Sequence, residues 1–331
     1  FLCHSAFTIP KRELLVDCIM VDVFLQLSIP LLCGLLYKLL PGALPAAEVR
    51  RVIGSIVLNV FIPLLTFGVL SEVRIGEHLW TVPVVSISTV VVGLVMSWLV
   101  YAKLLRRFIP EHTIGAMILA GTWCNAMYMG LPITHAVVGG DAAHIPIEYD
   151  YLGMTPLLFS IGSMICIRFG TTKDSVSLVN AMRQVAKLPP MIAIIIAIAI
   201  NLIDVPIAPW IHESCLAAGK IVPQLMLFSI GLTLRLPVRK NVPIIVPAVA
   251  IRTILVPLIM VSGTAWLIDD PVVEKAAMLE TSMPTMMLTM VFAERYGLDT
   301  EALAQAILAS TIVSFFTLPM MMAVLAIVLG Q

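Results

Sequence analysis

The chain has 331 residues, of which 60% are hydrophobic and 12% are charged, and its 20 lysines and arginines balance 20 aspartates and glutamates. This composition excludes a soluble globular protein, because a domain of this size needs a larger polar surface. The apolar residues also form runs of about 20, the length that spans a bilayer as a helix. The sequence therefore predicts an all-α polytopic membrane protein.

Residues 1–19 precede the first apolar run. They contain acidic residues and lack the apolar core and cleavage site of a signal peptide. The chain begins with Phe1, and Met20 could be the natural start. We interpret residues 1–19 as an N-terminal extension or a remnant foreign to the natural chain.

Ten apolar runs follow, each a predicted membrane-spanning helix. They cover residues 19–40, 49–70, 79–104, 112–138, 145–168, 187–203, 209–235, 242–268, 272–295 and 302–329. Glycine, proline and polar residues interrupt the fourth and ninth runs.

The positive charges are unevenly distributed between alternate loops. One set of loops contains Lys38, Arg50, Arg51, Lys103, Arg106, Arg107, Arg168, Lys173, Arg183, Lys187, Arg235, Arg239, Lys240 and Arg295. The opposite set contains Lys11, Arg12, Arg74 and Lys275. Because short cytoplasmic loops carry the excess of lysine and arginine, we expect a cytoplasmic (inner) membrane protein with both termini outside the cytoplasm. The polar connector 171–186 is then a cytoplasmic linker.

The two halves of the chain resemble each other at an offset of 160 residues. The segment AMILAGTWCNAM begins at Ala116, and AAMLETSMPTMM begins at Ala276. Pro63 and Pro223 have the same spacing, as do TVP at 81–83 and NVP at 241–243. We predict two five-helix repeats, residues 20–170 and 187–331. An odd number of spans places the second repeat upside down in the membrane.

The aligned segments lie in the interrupted runs. Proline cannot donate a helical hydrogen bond, so helix 9 should break at Pro284. In helix 4 the weak points are Gly121, the Cys124-Asn125 pair, Gly130 and Pro132. Two broken helices in inverted repeats would cross near mid-membrane, where their second halves direct positive partial charge at a bound anion.

Polar residues near this crossing are candidates for substrate and ion binding. Glu280 precedes Pro284 by one turn, and a carboxylate in the bilayer must be partnered, protonated or functional. We expect it either to bind Na⁺ or H⁺ as the coupling ion or to form a structural hydrogen bond. Neighbouring oxygens for ion coupling are those of Thr122, Thr281 and Ser282, whereas Asn125 and Thr285 are candidates for contact with the anion.

Three other positions have alternative interpretations. Arg252, halfway along helix 8, could bind a substrate carboxylate, pair with Glu280 or reach the membrane interface. Asn59 and Gln224 either line the substrate cavity or form interhelical hydrogen bonds. Glu148 and Asp150 lie near the start of helix 5, where we expect contact with water.

Four segments resemble the auxin efflux carrier family, which includes plant auxin carriers and bacterial permeases for malate, malonate and similar acids. They are VLNVFIPLLTFGVL, CNAMYMGLPITHAVVGG, PQLMLFSIGLTL and MPTMMLTMVFAERYGLDTEALAQAILASTIVSFFTLP. The resemblance implies ten helices, both termini outside, and a scaffold and a transport domain related by an elevator-like movement. By position, Asn125 matches the asparagine that contacts the substrate carboxylate, and Pro284 matches the crossover proline. Glu280 is similar in position to the sodium-site glutamate of the bile acid–sodium symporters, which have a related fold.

These observations predict a secondary active transporter of small organic anions, such as mono- or dicarboxylates or auxin-like acids, either ion-coupled or driven by the anion's own gradient. The alternative is a membrane receptor or sensor that binds an anion without translocating it. ATP-driven pumping is not expected, because the sequence contains no P-loop, no GxSxG motif and no dinucleotide fingerprint. An intramembrane enzyme is not expected, because the sequence shows no nucleophile–base or metal constellation. The expected partners are the substrate anion and the lipid bilayer, with no nucleic acid and no cofactor apart from Na⁺ or H⁺. A homodimer is compatible with this architecture.

Overall fold

The computed structural model describes residues 28–71, 80–142, 144–171, 183, 187, 189–203, 205–219, 221–233 and 241–328. The predicted extension 1–19 lies outside these residues, as does the predicted linker 171–186 apart from residues 171 and 183. Within the described ranges, all regular secondary structure is helical. The predicted all-α class is confirmed, whereas the division at the linker stays a prediction.

The helices follow the predicted apolar runs. The first half contains α1 (Ser28–Tyr37), α2 (Ala46–Gly68), α3 (Thr81–Leu104), α4 (Glu111–Thr122), α5 (Leu131–Val137) and α6 (His144–Phe169). The second half contains α7 (Pro189–Leu202), α8 (Pro209–Gly219), α9 (Ile221–Thr233), α10 (Val242–Leu267), α11 (Pro271–Thr281), α12 (Thr289–Tyr296) and α13 (Thr300–Val328). In the described part of the chain, five helices (α2, α3, α6, α10 and α13) are long and apolar enough to cross a membrane. The ten-helix inverted repeat stays a prediction.

Prolines shape the local geometry of several helices. Four of the six π-helical turns in the described residues lie at Val57–Phe61, Ala126–Gly130, Tyr149–Met154 and Ile251–Leu255. Each of these four turns ends two residues before a proline, namely Pro63, Pro132, Pro156 or Pro257. A proline lacks the N–H for the usual bond, and its ring pushes away the carbonyl four residues earlier, which lies inside each of these turns. The wider π turn accommodates that carbonyl.

Helix α3 presents an apolar stripe on the outside of the molecule. Val84, Ile87, Val91, Val95 and Trp98 are all exposed and recur every three or four residues. The same helix buries small and polar residues on its opposite face. An exposed apolar stripe is unfavourable in water but matches the hydrocarbon of a bilayer. The surface of this helix therefore fits a membrane-embedded protein.

The helices pack into two groups around separate hydrophobic clusters. The crossing group, α3–α6 and α10–α13, surrounds the larger cluster, whose centre includes Leu119, Trp123 and Leu279. The flanking group, α2 and α7–α9, packs around Val57, Ile62 and neighbouring apolar residues. Both groups draw helices from both halves of the sequence.

Candidate functional site

Two broken helices meet inside the crossing group. Helix α4 ends at Thr122, and helix α11 ends at Thr281. Beyond these ends, Cys124 and Thr285 form an isolated antiparallel bridge. The Asn125 N–H donates to the Pro284 carbonyl at 2.7 Å, and the Met286 N–H donates to the Trp123 carbonyl at 2.8 Å. Each segment thus provides hydrogen-bond partners for backbone groups of the other segment. Irregular backbone is tolerated in the interior when its polar groups are paired in this way.

The two breaks have different local causes. Helix α11 ends three residues before Pro284, consistent with the steric restriction that proline imposes on the preceding backbone. Helix α4 has no proline in its break: Trp123 is extended, with φ −92° and ψ 131°, and its indole N–H donates to the Met154 carbonyl at 3.2 Å. The break therefore depends on tertiary contacts.

Three of the predicted weak points, Gly121, Gly130 and Pro132, lie outside the break in helix 4. Gly121 is inside the last turn of α4, where an added Cβ would overlap the Ser97 hydroxyl of α3. Its small size allows α3 and α4 to approach closely. Pro132 lies after the break, near the first residue of α5, and the π turn Ala126–Gly130 before it accommodates its ring and its missing N–H. The break itself comprises Trp123, Cys124 and Asn125.

Arg252 of α10 connects the ends of both broken helices. The side chain is completely buried, and its guanidinium donates to the carbonyl of Thr122 at 3.0 Å and to the carbonyl of Thr281. Carbonyls in the last turn of a helix have no partner within the helix and carry its negative partial charge. Arg252 therefore neutralises two helix C-termini at once. The sequence analysis expected a substrate carboxylate, Glu280 or the membrane interface as the partner of Arg252, and these two carbonyls were not among them.

Asn125 lies at the start of the second half of helix 4. Its carbonyl accepts from the N–H groups of Met129 and Gly130, at 3.3 and 3.1 Å. The side chain is 1% exposed, and both its amide nitrogen and its amide oxygen lack a hydrogen-bond partner. A buried amide without partners costs stability unless a ligand or water satisfies it. Asn125 thus has the free donor that an anion site at the crossing requires.

Thr285 is held in place by two neighbouring helices. Its hydroxyl donates to the Ala120 carbonyl at 2.8 Å, and its N–H donates to the Ser310 hydroxyl of α13 at 3.1 Å. A hydroxyl has a single proton to donate. In this conformation the Thr285 side chain therefore has no donor left for a carboxylate.

Glu280 is fully buried beside the second half of helix 4. One carboxylate oxygen accepts from the Thr134 hydroxyl of α5 at 2.6 Å, and the other oxygen has no partner. A Cβ added at Gly130 would overlap this carboxylate, so the glycine provides the space that the side chain occupies. The Glu280 carboxyl therefore joins α11 to the segment that follows Asn125 and keeps one oxygen free for a proton or cation.

Several hydroxyl groups lie at or near the ends of α4 and α11. The Tyr149 hydroxyl donates to Thr89 at 2.9 Å and lies 3.1 Å from the Thr281 hydroxyl. The hydroxyls of Thr122 and Ser282 donate to carbonyls four residues earlier in their own helices. All of these oxygens can still accept. Among the described residues, no three His, Cys, Asp or Glu side chains could hold a metal ion together, so a Na⁺ site at Glu280 would rely on hydroxyl and carbonyl oxygens.

Two further acids are more buried than the sequence predicted. Glu148 and Asp150 of α6 are 5% and 3% exposed, and each has a carboxylate oxygen without a partner. The expected contact with water is therefore wrong. The segment is enclosed because α6 packs against α3, α11 and the turn after Asn125, contacts that hydropathy does not reveal.

A cavity of about 600 Å³ lies at the boundary between the two helix groups. Its polar lining residues are Arg50, Arg51, Ser55 and Asn59 of α2, Glu294 and Arg295 of α12, Tyr128 of the turn after Asn125, and Ser229 of α9. Met287, which follows the crossing, and apolar residues of α12 and α13 complete the wall. Asn59 thus lines a cavity while its amide donates to the Ser55 carbonyl at 2.7 Å. Gln224 is exposed on α9 and is not part of this wall.

Known proteins similar to this chain are transporters. The sequence pattern of a family described as "Membrane transport protein" matches residues 170–322. The chain is 27% identical over 308 residues to an "Uncharacterized transporter" of Methanothermobacter thermautotrophicus, covering 92% of this chain and 98% of the relative. A second transporter, from Methanocaldococcus jannaschii, is 25% identical over 90% of this chain and 96% of its own length. A "Putative malonate transporter" of Rhizobium meliloti is 25% identical over 70% of this chain and 73% of its own length.

Proposed function

Since the chain belongs to the auxin efflux carrier family of membrane transport proteins, we propose that it is a secondary active transporter of small organic anions in the cytoplasmic membrane. The name of the Rhizobium meliloti relative supports malonate and similar short dicarboxylates as first candidates. We propose no enzymatic activity for this chain, because its family consists of carriers.

The observation that carries this proposal is the unpartnered amide of Asn125 at the meeting point of two broken helices. The segment after Asn125 begins a new helical section, whose free N–H groups favour a negative charge. The amide nitrogen of Asn125 adds a directed donor to the same place. We therefore assign the substrate carboxylate to Asn125 and the backbone after it, and we assign Arg252 and Thr285 to supporting the crossing.

Ion coupling is assigned to Glu280. Its free carboxylate oxygen, fully buried at the end of α11, supports a site for H⁺ or Na⁺. The Thr134 hydroxyl links this carboxyl to α5, the helix that follows Asn125. A change in the charge of Glu280 would therefore act directly on the segment that binds the anion, and coupling needs such a shared element.

The packing supports an elevator-type mechanism. The crossing group carries Asn125 and Glu280, and the cavity lies where this group meets the flanking group. We propose that the crossing group moves against the flanking group and carries the anion across. The complete chain would have ten helices in two inverted repeats, with both termini outside the cytoplasm. A homodimer formed through the flanking group would keep that group fixed.

A receptor that binds the anion without moving it is the second candidate, and uptake into proteoliposomes distinguishes the two. Radiolabelled malonate, other dicarboxylates and an auxin are offered with an imposed Na⁺ or proton gradient. A transporter accumulates at least one of these anions above the level of protein-free liposomes. Binding to the purified protein without uptake under any gradient would identify a receptor.

A further inference from the structure

An ion pair connects the two helix groups at the mouth of the cavity. The Arg50 guanidinium of α2 donates to the Glu294 carboxylate of α12, and both side chains line the cavity wall. The side chains are 23% and 47% exposed, so water and a dissolved anion can reach them. If the crossing group moves against the flanking group, this pair has to separate and form again.

The charges around the pair are not balanced. Three arginines, Arg50, Arg51 and Arg295, line the cavity with Glu294, leaving an excess of two positive charges. The apolar part of the wall is formed by residues such as Met290 and Ile307. An arginine guanidinium binds a carboxylate through two parallel hydrogen bonds. A short dianion with a small hydrocarbon core therefore matches both the charge and the lining of the cavity.

We propose that the cavity is an entry site selective for short dicarboxylates, in which Arg50 exchanges Glu294 for a substrate carboxylate. Arg51 and Arg295 contact the second carboxylate. Glu294 is thus an internal competitor of the substrate, and binding of a dicarboxylate opens the ion pair that holds the two helix groups together. A monocarboxylate can replace Glu294 but leaves the remaining positive charge unpaired. The inference rests on the proposed transport of organic anions and specifies the substrate class and its point of entry.

Substitutions of the two partners of the ion pair should have opposite effects on malonate binding. Binding of radiolabelled malonate and of acetate is measured on purified protein in nanodiscs, together with thermal unfolding to verify folding. Wild-type protein should prefer malonate. Arg50→Gln should weaken malonate binding about tenfold or more, because a charge-assisted pair is lost. Glu294→Gln should strengthen malonate binding several-fold, because the competitor is removed.

The matched control is an ion pair away from the cavity. The Arg106 guanidinium lies 3.4 Å from the Glu111 carboxylate, and both side chains are exposed. Arg106→Gln and Glu111→Gln should leave malonate binding unchanged. Arg295→Gln should reduce the preference for malonate over acetate, since it removes a contact to the second carboxylate only.

A purely structural ion pair would change malonate binding in the same direction in Arg50→Gln and Glu294→Gln, and this result would overturn the proposal. Equal affinity of the wild-type protein for malonate and acetate would also overturn it, while uptake of acetate would leave organic anion transport intact. Absence of both binding and uptake for every organic anion would contradict the proposed function as well.

Discussion

Replacing Arg252 with glutamine should loosen the crossing of the two broken helices. The substitution removes the guanidinium that donates to the carbonyls of Thr122 and Thr281. Hydrogen bonds to a charged group contribute about 1.5–3 kcal/mol each. Removing a buried charge recovers part of this energy, because the desolvation of the guanidinium no longer opposes folding. We therefore expect the crossing to lose about 2 kcal/mol of stability. This loss raises the equilibrium constant for its local opening about thirtyfold.

Cys124 offers a direct probe of that opening. It is a free thiol at the crossing and is fully buried, so a maleimide reagent reaches it only when the crossing opens. In a background where every other cysteine is replaced by alanine, Arg252→Gln should raise the labelling rate of Cys124 about thirtyfold. Arg168→Gln, which alters an exposed arginine, is the control and should have no effect. Unchanged labelling together with lost anion binding would refute the structural role and identify Arg252 as a substrate ligand.

Three further substitutions test individual contacts of the site. Glu280→Gln should abolish accumulation of anion driven by an ion gradient in proteoliposomes while preserving the folded protein in size-exclusion chromatography; normal accumulation would make Glu280 structural. Gly130→Ala should lower the unfolding temperature and impair accumulation, because the new methyl group overlaps the Glu280 carboxylate; an unaltered protein would contradict this contact. Thr285→Cys should form a disulfide with Cys124 under mild oxidation, detected by mass spectrometry, because the paired backbones meet the distance requirement. Met286→Cys, whose side chain points the other way, should not, and cross-linking of both variants would disprove the register.

The sequence alone predicted the helix interruption that a single residue determines. Pro284 removes a donor and restricts its predecessor, so an interruption of helix 9 followed from the residue itself. The interruption of helix 4 was predicted in the correct segment but partly from the wrong residues. Gly121 and Pro132 are compatible with helix at their positions, and the backbone instead departs at Trp123, where a contact with Met154 and the bridge to the other segment replace helical bonds.

The contacts of the charged residues could not be predicted from the sequence. Arg252 was placed correctly inside the protein, but its contacts depend on where two helices end relative to α10. Asp150 was expected near water because it lies at the edge of an apolar run, and it is buried because neighbouring helices enclose it. Arg50 and Glu294 are 244 residues apart in sequence, and only the tertiary fold, which places α2 and α12 around one cavity, brings them together.

Uptake by the Asn125→Ala variant is the most direct test of the account. Wild-type protein and the variant are reconstituted at equal amounts, and the initial rate of radiolabelled malonate uptake is measured over a range of concentrations. Loss of a hydrogen bond to a charged group, about 1.5–3 kcal/mol, should weaken apparent malonate affinity about tenfold or more. Labelling of Cys124 should remain slow, because Asn125 donates to Pro284 through its backbone and not through its side chain. Wild-type affinity in Asn125→Ala would contradict an anion site at the crossing of the two helices.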